Sequence, residues 1–507
     1  MISCVMTQII TFLEKPMVEN SRKKTLFFLI STITILRIAY INFVPLVPQE
    51  AYYWKYAKNL ALSYFDHPPM TAYIIALFTW IGGDNVFFVR LGSIIFSIGL
   101  MLLIFVITSR LFKNQHWAFL SVIAMNCTVI FSIGSTIITP DVPFLFFWTL
   151  VVYSLVRLQE SDHWKWWYLA GASLGCGLLS KYTAILIVPG IFIYLLLSSS
   201  QRKWLLTAHP YLGLICAVII FSPVVIWNYQ HNWVSFLFQS SNRFSQMSQL
   251  RLNYFFQLIG SQLGMLTPYL FFVAILGWVY SGRLAFRIRD QKYSLLFWIA
   301  FPVYVVFTLS SFRSLVKMNW LAPAYITSII AGIAWLHSSS TRWSNKFNKW
   351  FVPGLITGLI IVIFMHLLPL VPLFPMRNGD TWTGWQELAT RVSEVKKEMG
   401  EDTFIFGHEY KIPSEITFYT PHHEVTYAGE IIGEKGLQYS YWTQFNKLIS
   451  KNAIFVTSNA QRYRNIEKLK SHFNSVAEDF PLKIIHRNKV FRIFYLYRCY
   501  GYKGPNP

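Results

Sequence analysis

Apolar runs of about 16–26 residues, divided by short polar segments, recur along the first 370 positions, at 25–44, 87–109, 117–134, 142–158, 166–181, 183–199, 209–229, 255–280, 293–311, 319–337 and 351–370. A helix rising 1.5 Å per residue needs roughly 20 such residues to cross a bilayer core of about 30 Å, so the pattern predicts about eleven spans. One apolar stretch does not fit. Positions 68–83 begin Pro68-Pro69, end Gly82-Gly83 and number only about 15, which predicts a re-entrant or interfacial piece. After about residue 370 the period changes: amphipathic helix candidates (384–399, 465–473) alternate with short strand candidates (403–407, 424–428, 453–457, 482–486, 490–498). The expected fold class is a polytopic α-helical membrane protein over 1–370, with a first external loop at 45–86, followed by a C-terminal extracytoplasmic α/β domain over 371–507.

Composition supports the membrane reading, because 54% hydrophobic and 13% charged residues are too apolar a balance for an ordinary soluble chain of 507 residues. Glu14, Lys15, Arg22, Lys23 and Lys24 precede the first run, which is longer than a signal-peptide core and lacks a small-residue cleavage site, so a retained first helix is expected. With the N-terminus cytoplasmic and 68–83 not crossing, the cytoplasmic segments hold roughly seventeen Lys and Arg and the opposite loops about seven. The net charge of +21 is thereby explained by topology and anionic lipid, with no nucleic-acid partner. Cys4, Cys127, Cys176, Cys216 and Cys499 show no C-x-x-C spacing, and no Gly-rich phosphate loop, H-E-x-x-H or D-x-D pair is present, so a nucleotide cofactor is not expected.

That topology gathers Glu50, Asp66, His67, Asp141, Lys181, Arg313 and Lys317 on the external side. Ionisable groups beside apolar surface are costly unless paired or used. Asp66-His67 stand before two prolines that stiffen the turn back toward the bilayer, and Tyr52, Tyr53, Trp54 and Tyr56 read first as an interfacial aromatic belt. Asp141 opens a helix after Thr139-Pro140, where a carboxylate could cap the helix or do chemistry. Lys181, followed by Tyr182, ends a glycine-rich helix, and Arg313 and Lys317 add cations where the positive-inside rule would avoid them, as an anionic phosphate would require.

Glu-Ala-Tyr-Tyr-Trp at 50–54, Tyr-Phe-Asp-His-Pro-Pro at 64–69, Thr-Pro-Asp at 139–141, Leu-Ser-Lys-Tyr-Thr-Ala at 179–184, Asn319-Trp320-Leu321-Ala322-Pro323-Ala324-Tyr325 and Gly384-Trp385 resemble bacterial glycosyltransferase family 39. This family includes the aminoarabinose transferases and protein O-mannosyltransferases. The resemblance implies transfer of a sugar, with inversion, from a polyisoprenyl-phosphate donor to an extracytoplasmic lipid, glycan or protein acceptor at a bacterial inner membrane. It implies Asp141 and Glu50 as catalytic residues and Lys181, Asp66 and His67 as substrate-binding ones, and it leaves a divalent metal open; Tyr53, Tyr182, Arg313, Lys317 and Asn319, beside them on the external side, are expected to bind substrate as well. Gln49 stands where the family commonly has Asp. An amide cannot act as a base, so that role falls to Glu50 or Asp141, or the acceptor arrives already nucleophilic. A polytopic lipid transporter or flippase is the competing class; against it, no paired, broken spans recur in two halves.

Overall fold

The structure, a computed structural model, describes residues 19–244, 250–371, 381–458 and 466–505; Cys4, Glu14 and Lys15 of the basic tail lie outside them. The chain forms two compact units. One comprises Met1–Tyr40, His67–Thr71 and Arg90–His366, the other Ile41–Asp66, Ala72–Val89 and Leu367–Pro507.

The first unit is helical. Among the described residues, six helices are long and apolar enough to cross a membrane: Lys24–Ile41, Val86–Phe112, Asp141–Ser161, His209–Gln230, Pro268–Arg287 and Gln291–Ser311. A seventh arises if Arg342–Lys349 and Phe351–Leu367, bent by 50°, form one span. That is fewer than the eleven expected, and the differences have local causes. The run 117–134 divides into Gln115–Asn126 and Val129–Gly134, because Thr128 is extended (φ −106°, ψ 144°). The run 255–280 divides at Thr267, φ +67°, directly before Pro268, whose ring disfavours helix in the preceding residue. Lys165–Ser180 and Ala322–Ser338 are helices of 16 and 17 residues, and 183–199 begins as a 3-10 turn (Tyr182–Leu186) before Ile187–Leu197. The stretch 68–83 forms Met70–Gly82, whose 13 residues are too few to span.

Asp141–Ser161 and Lys165–Ser180 form a helical hairpin through Asp162, which caps the first helix in a left-handed conformation. The hairpin brings the start of one helix beside the end of the next. Its second helix packs on His209–Gln230 through small residues at matching four-residue spacing: a Cβ on Gly171 would lie 2.0 Å from the Gly213 carbonyl oxygen, and one on Gly175 2.9 Å from that of Ala217. Side chains such as Trp148, Val152, Leu155, Leu174 and Ile187 are buried in the shared apolar core.

In the second unit a mixed sheet is built from β1 (Phe404–Gly407), β2 (Thr426–Tyr427), β3 (Ala453–Thr457), β4 (Phe473–Glu478), β5 (Leu482–His486) and β6 (Lys489–Tyr502). The order is β2-β1-β3-β6-β4, with β5 also on β6; β1 is parallel to β2 and β3, and β6 is antiparallel to its neighbours. Alternation along the strands produces a core on each face. Phe404, Phe406, Phe455, Tyr497 and Cys499 face one way with Leu469 and Phe473. Ile405, Ile454, Val456 and Leu496 face the other, under Trp385, Leu388 and Val392 of helix Trp385–Met399. Gly384 takes φ +87° to start that helix, and Arg492 lies 4.0 Å over the Trp385 ring.

The first-loop helix Pro48–Lys58 belongs to this second unit and packs on helix Lys411–Tyr419. Its aromatic residues are therefore explained by internal packing, not by the interfacial belt expected from the sequence. Tyr52 meets Tyr410 at 4.5 Å and Tyr439 at 6.0 Å, Trp54 meets Phe418 at 5.1 Å, and Tyr56 meets Trp442 at 5.6 Å between ring centres.

Candidate active site

Asp141 is the first residue of its helix, yet its carboxylate makes no cap there. One oxygen instead accepts a 2.6 Å hydrogen bond from the Lys181 ammonium, and the other a 2.6 Å bond from the Asn319 side-chain amide. The local structure makes this possible. Lys181 follows the last residue of the hairpin's second helix and is extended (φ −156°, ψ 129°), which turns the chain between that helix and the 3-10 turn. Asn319 sits in the turn ahead of Ala322–Ser338. The Lys181 and Asp141 side chains retain 14% and 17% exposure, so the pair is shielded enough to be strong and open enough to meet a ligand.

The other sequence candidates in the helical unit surround different features. Tyr182 shares a 2.9 Å hydrogen bond with the Ser235 hydroxyl and packs edge-on against Phe221 and Phe236. Arg313 and Lys317 lie exposed in the loop after Gln291–Ser311, where the Arg251 amide donates to the Phe312 carbonyl at 2.7 Å. His67 is half-buried.

In the second unit Glu50 is fully buried, and one carboxylate oxygen accepts the Val47 amide at 3.0 Å, back-capping the first-loop helix from its third position. One oxygen of buried Asp66 accepts from the Tyr52 hydroxyl at 3.1 Å and from the Tyr56 hydroxyl. Burial, with the Asp66 charge, pushes both phenols above the ordinary tyrosine range, so both stay O–H donors. Tyr53 is buried beside them, its ring centre 6.1 Å from Tyr52 and 5.9 Å from Tyr56. Gln49, the departure from the family's Asp, is hydrogen-bonded to the Tyr410 side chain.

Lys55, in the same unit, carried no warning in the sequence. It is buried, donates to the Thr426 carbonyl at 2.7 Å and lies 4.0 Å over the Tyr439 ring. Desolvation lowers its pKa to about 7 against the opposing pull of Glu430, whose own carboxyl is raised by burial. Its spacing among tyrosines gave no sign of a partner in the distant C-terminal domain. Among the described residues, no three His, Cys, Asp or Glu side chains cluster as a metal site.

Residues 66–227 match the family model described as dolichyl-phosphate-mannose-protein mannosyltransferase, a window that holds Asp66, His67, Asp141, Lys181 and Tyr182. The chain is 25% identical over 446 residues to a lipid A galacturonosyltransferase of Rhizobium johnstonii, covering 84% of this chain and 89% of that one. The chain is thus similar to membrane glycosyltransferases of the family 39 type. It is also 33% identical over 183 residues, 34% of its own length and 32% of the relative's, to an undecaprenyl phosphate-alpha-4-amino-4-deoxy-L-arabinose arabinosyl transferase of Erwinia tasmaniensis. Its fold is that of ArnT from Cupriavidus metallidurans. The TM-score is 0.63 to the apo structure (14% identity, 94% of this chain and 98% of that one) and 0.62 to the structure bound to undecaprenyl phosphate (12% identity, 93% and 97%).

Proposed function

We propose that the glycosyltransferase moves a sugar from a polyprenyl-phosphate donor to lipid A or a similar envelope acceptor on the extracytoplasmic side, with inversion at the anomeric carbon. The observation that carries this reading is the Lys181–Asp141–Asn319 constellation, one carboxylate held at both oxygens by a cation and an amide. Relatives act on lipid A and on an undecaprenyl-phosphate sugar, and ArnT binds undecaprenyl phosphate itself, which supports the donor class.

The chemistry needs a base for the acceptor hydroxyl and a cation for the leaving phosphate. Asp141, whose side chain keeps 17% exposure, suits the first role better than Glu50, which is fully buried. In the resting enzyme Lys181 pairs with Asp141. An arriving lipid phosphate competes for that ammonium, and the released Asp141 oxygen takes the acceptor proton as the acceptor oxygen bonds to C1 and the C1–phosphate oxygen bond breaks. Lys181, joined by Arg313 and Lys317, holds the departing phosphate; Asn319 keeps Asp141 oriented. Asp66 and His67 keep the part in substrate binding that the resemblance implies, Tyr53 and Tyr182 join them there, and Glu50 shapes the site by fixing the start of the first-loop helix.

The N-terminus is proposed to be cytoplasmic and the C-terminal domain extracytoplasmic, from the distribution of Lys and Arg. If the helices around residues 115–134, 165–180, 182–197 and 322–338 cross as well, the long and short helices together would make up the eleven spans. The test is transfer of labelled sugar from undecaprenyl-phosphate aminoarabinose and undecaprenyl-phosphate galacturonic acid to lipid A by the purified chain in lipid nanodiscs. Labelled lipid A supports the reading. Intact donor that instead changes leaflets in proteoliposomes, with no transfer, would replace it with lipid transport.

A further inference from the structure

The first-loop helix and the C-terminal domain meet at a buried polar junction built around one residue of the domain, Gln438. Its backbone amide donates to the Tyr52 hydroxyl at 3.1 Å, and its side-chain oxygen accepts the Phe65 amide at 2.7 Å. Both contacts lead to Asp66. Tyr52, having accepted from Gln438, has its proton directed to the Asp66 carboxylate at 3.1 Å, and Phe65 is the residue before Asp66 in the chain. Gln438 thus grips the acid from two sides, through a side chain and through the backbone.

The surroundings leave these groups little freedom. Tyr52, Tyr56 and Gln438 are all buried, the Tyr52 ring stacks within 5° of parallel on Tyr439, and Tyr56 stacks on Tyr64 with centres 4.0 Å apart. The Tyr64 hydroxyl closes the loop by donating to the Tyr56 carbonyl at 2.9 Å. Next to this junction, Lys55 ties the same helix to the Thr426 carbonyl. A carboxylate oxygen that takes two phenol hydroxyls in a dry site is oriented by fixed dipoles, and placing such groups within about 0.5 Å is what a reacting centre requires.

We propose that Gln438 and Tyr52 are positioning residues for the transfer reaction, through which the C-terminal domain sets the orientation of Asp66. The proposal rests on the reading that Asp66 takes part in substrate binding. The C-terminal domain thereby acquires a definite role in the reaction, because displacing it from the first-loop helix releases Tyr52 and Phe65 and lets the acid turn.

The test uses the full-length protein in nanodiscs and the labelled-sugar assay above, with kcat, donor KM and thermal unfolding measured on each variant. Tyr52→Phe removes the hydroxyl that joins Gln438 to Asp66 while keeping the ring. Gln438→Ala removes the acceptor of the Phe65 amide, and Gln438→Glu keeps an oxygen there. The expected result is about a tenfold fall in kcat/KM for Tyr52→Phe and Gln438→Ala, recovered in Gln438→Glu, with unfolding temperatures within a few degrees of wild type. In Asp66→Asn the further change Tyr52→Phe adds no loss. Wild-type kinetics in Tyr52→Phe and Gln438→Ala, with Asp66→Asn impaired, would overturn the positioning role and leave the reading of Asp66 standing. Wild-type kinetics in Asp66→Asn itself would remove that reading. Losses that track unfolding temperature and are not recovered by Glu would reduce the junction to structural packing and overturn the proposal.

Discussion

At the scale of single residues, catalysis turns on how charge is held. Lys181→Ala removes the cation that pairs with Asp141 and is proposed to hold the leaving phosphate, so turnover should fall by about 10²–10³-fold. Asn319→Ala removes a single neutral donor and should cost no more than about tenfold. Steady-state kinetics on the two purified variants check the ranking; equal losses would contradict the assignment of separate roles. Lys55 makes a prediction of another kind. Its pKa is about 7 in the fold and about 10.4 in an unfolded chain, so between those values the unfolded state binds more protons. Stability should therefore rise with pH from about 7 to 10, the cost of the buried ammonium being fully present below that window and relieved across it. Lys55→Met should flatten this rise in thermal unfolding measured across that pH range.

Asp141 and Lys181 stood out in the sequence for a physical reason, as charged groups at the edges of apolar runs, where use or pairing justifies them, whereas Asn319 stood out only through the family-like stretch 319–325. Which of them pair was not legible. Asp141 looked as suited to capping its own helix as to chemistry, and only the hairpin geometry shows its oxygens turned to Lys181 and Asn319. The junction of Tyr52, Asp66 and Gln438 could not be read at all, because periodicity carries no information about partners separated by hundreds of positions, and a run of tyrosines looks the same against lipid as against a domain.

At the scale of elements, hydropathy located the long helices but not their breaks. Window averages are blind to one extended residue such as Thr128, or to Thr267 held at positive φ before a proline. In the C-terminal domain the buried strands β1 and β3 were readable as short apolar runs, whereas β4, Phe-Asn-Ser-Val-Ala-Glu, was not: it is an edge strand with mostly outward positions. The close contact of Lys165–Ser180 with His209–Gln230 makes an element-scale prediction. A side chain at Gly171 would meet the Gly213 backbone, which has no means to retreat, so Gly171→Leu should lower stability by about 1–3 kcal/mol or more and displace the helix that ends at Lys181. Thermal unfolding in detergent, with transfer activity measured alongside, should show both fall; a neutral result would contradict the tight packing.

At the scale of the whole molecule, one unit is helical and holds the Asp141 constellation, and in the other the helix Pro48–Lys58 packs with the C-terminal domain. The sequence placed a boundary near residue 370 but assigned the first loop to the membrane part, since chain order gave no reason to join 41–66 to residues beyond 371. A truncation before the C-terminal domain should uncover Tyr52, Trp54 and Tyr56 and open the helix at Lys55 to trypsin, a buried site that should resist in the full chain.

The measurement that bears most directly on the central claim is the rate of sugar transfer by Asp141→Asn in a folded, correctly inserted protein. A base of this kind contributes about 10²–10⁴-fold. A loss of that size in kcat is expected with donor binding retained, since Asn keeps the shape and frees Lys181 for the phosphate. Transfer at the wild-type rate would contradict the assignment and remove Asp141 from the centre of the reaction.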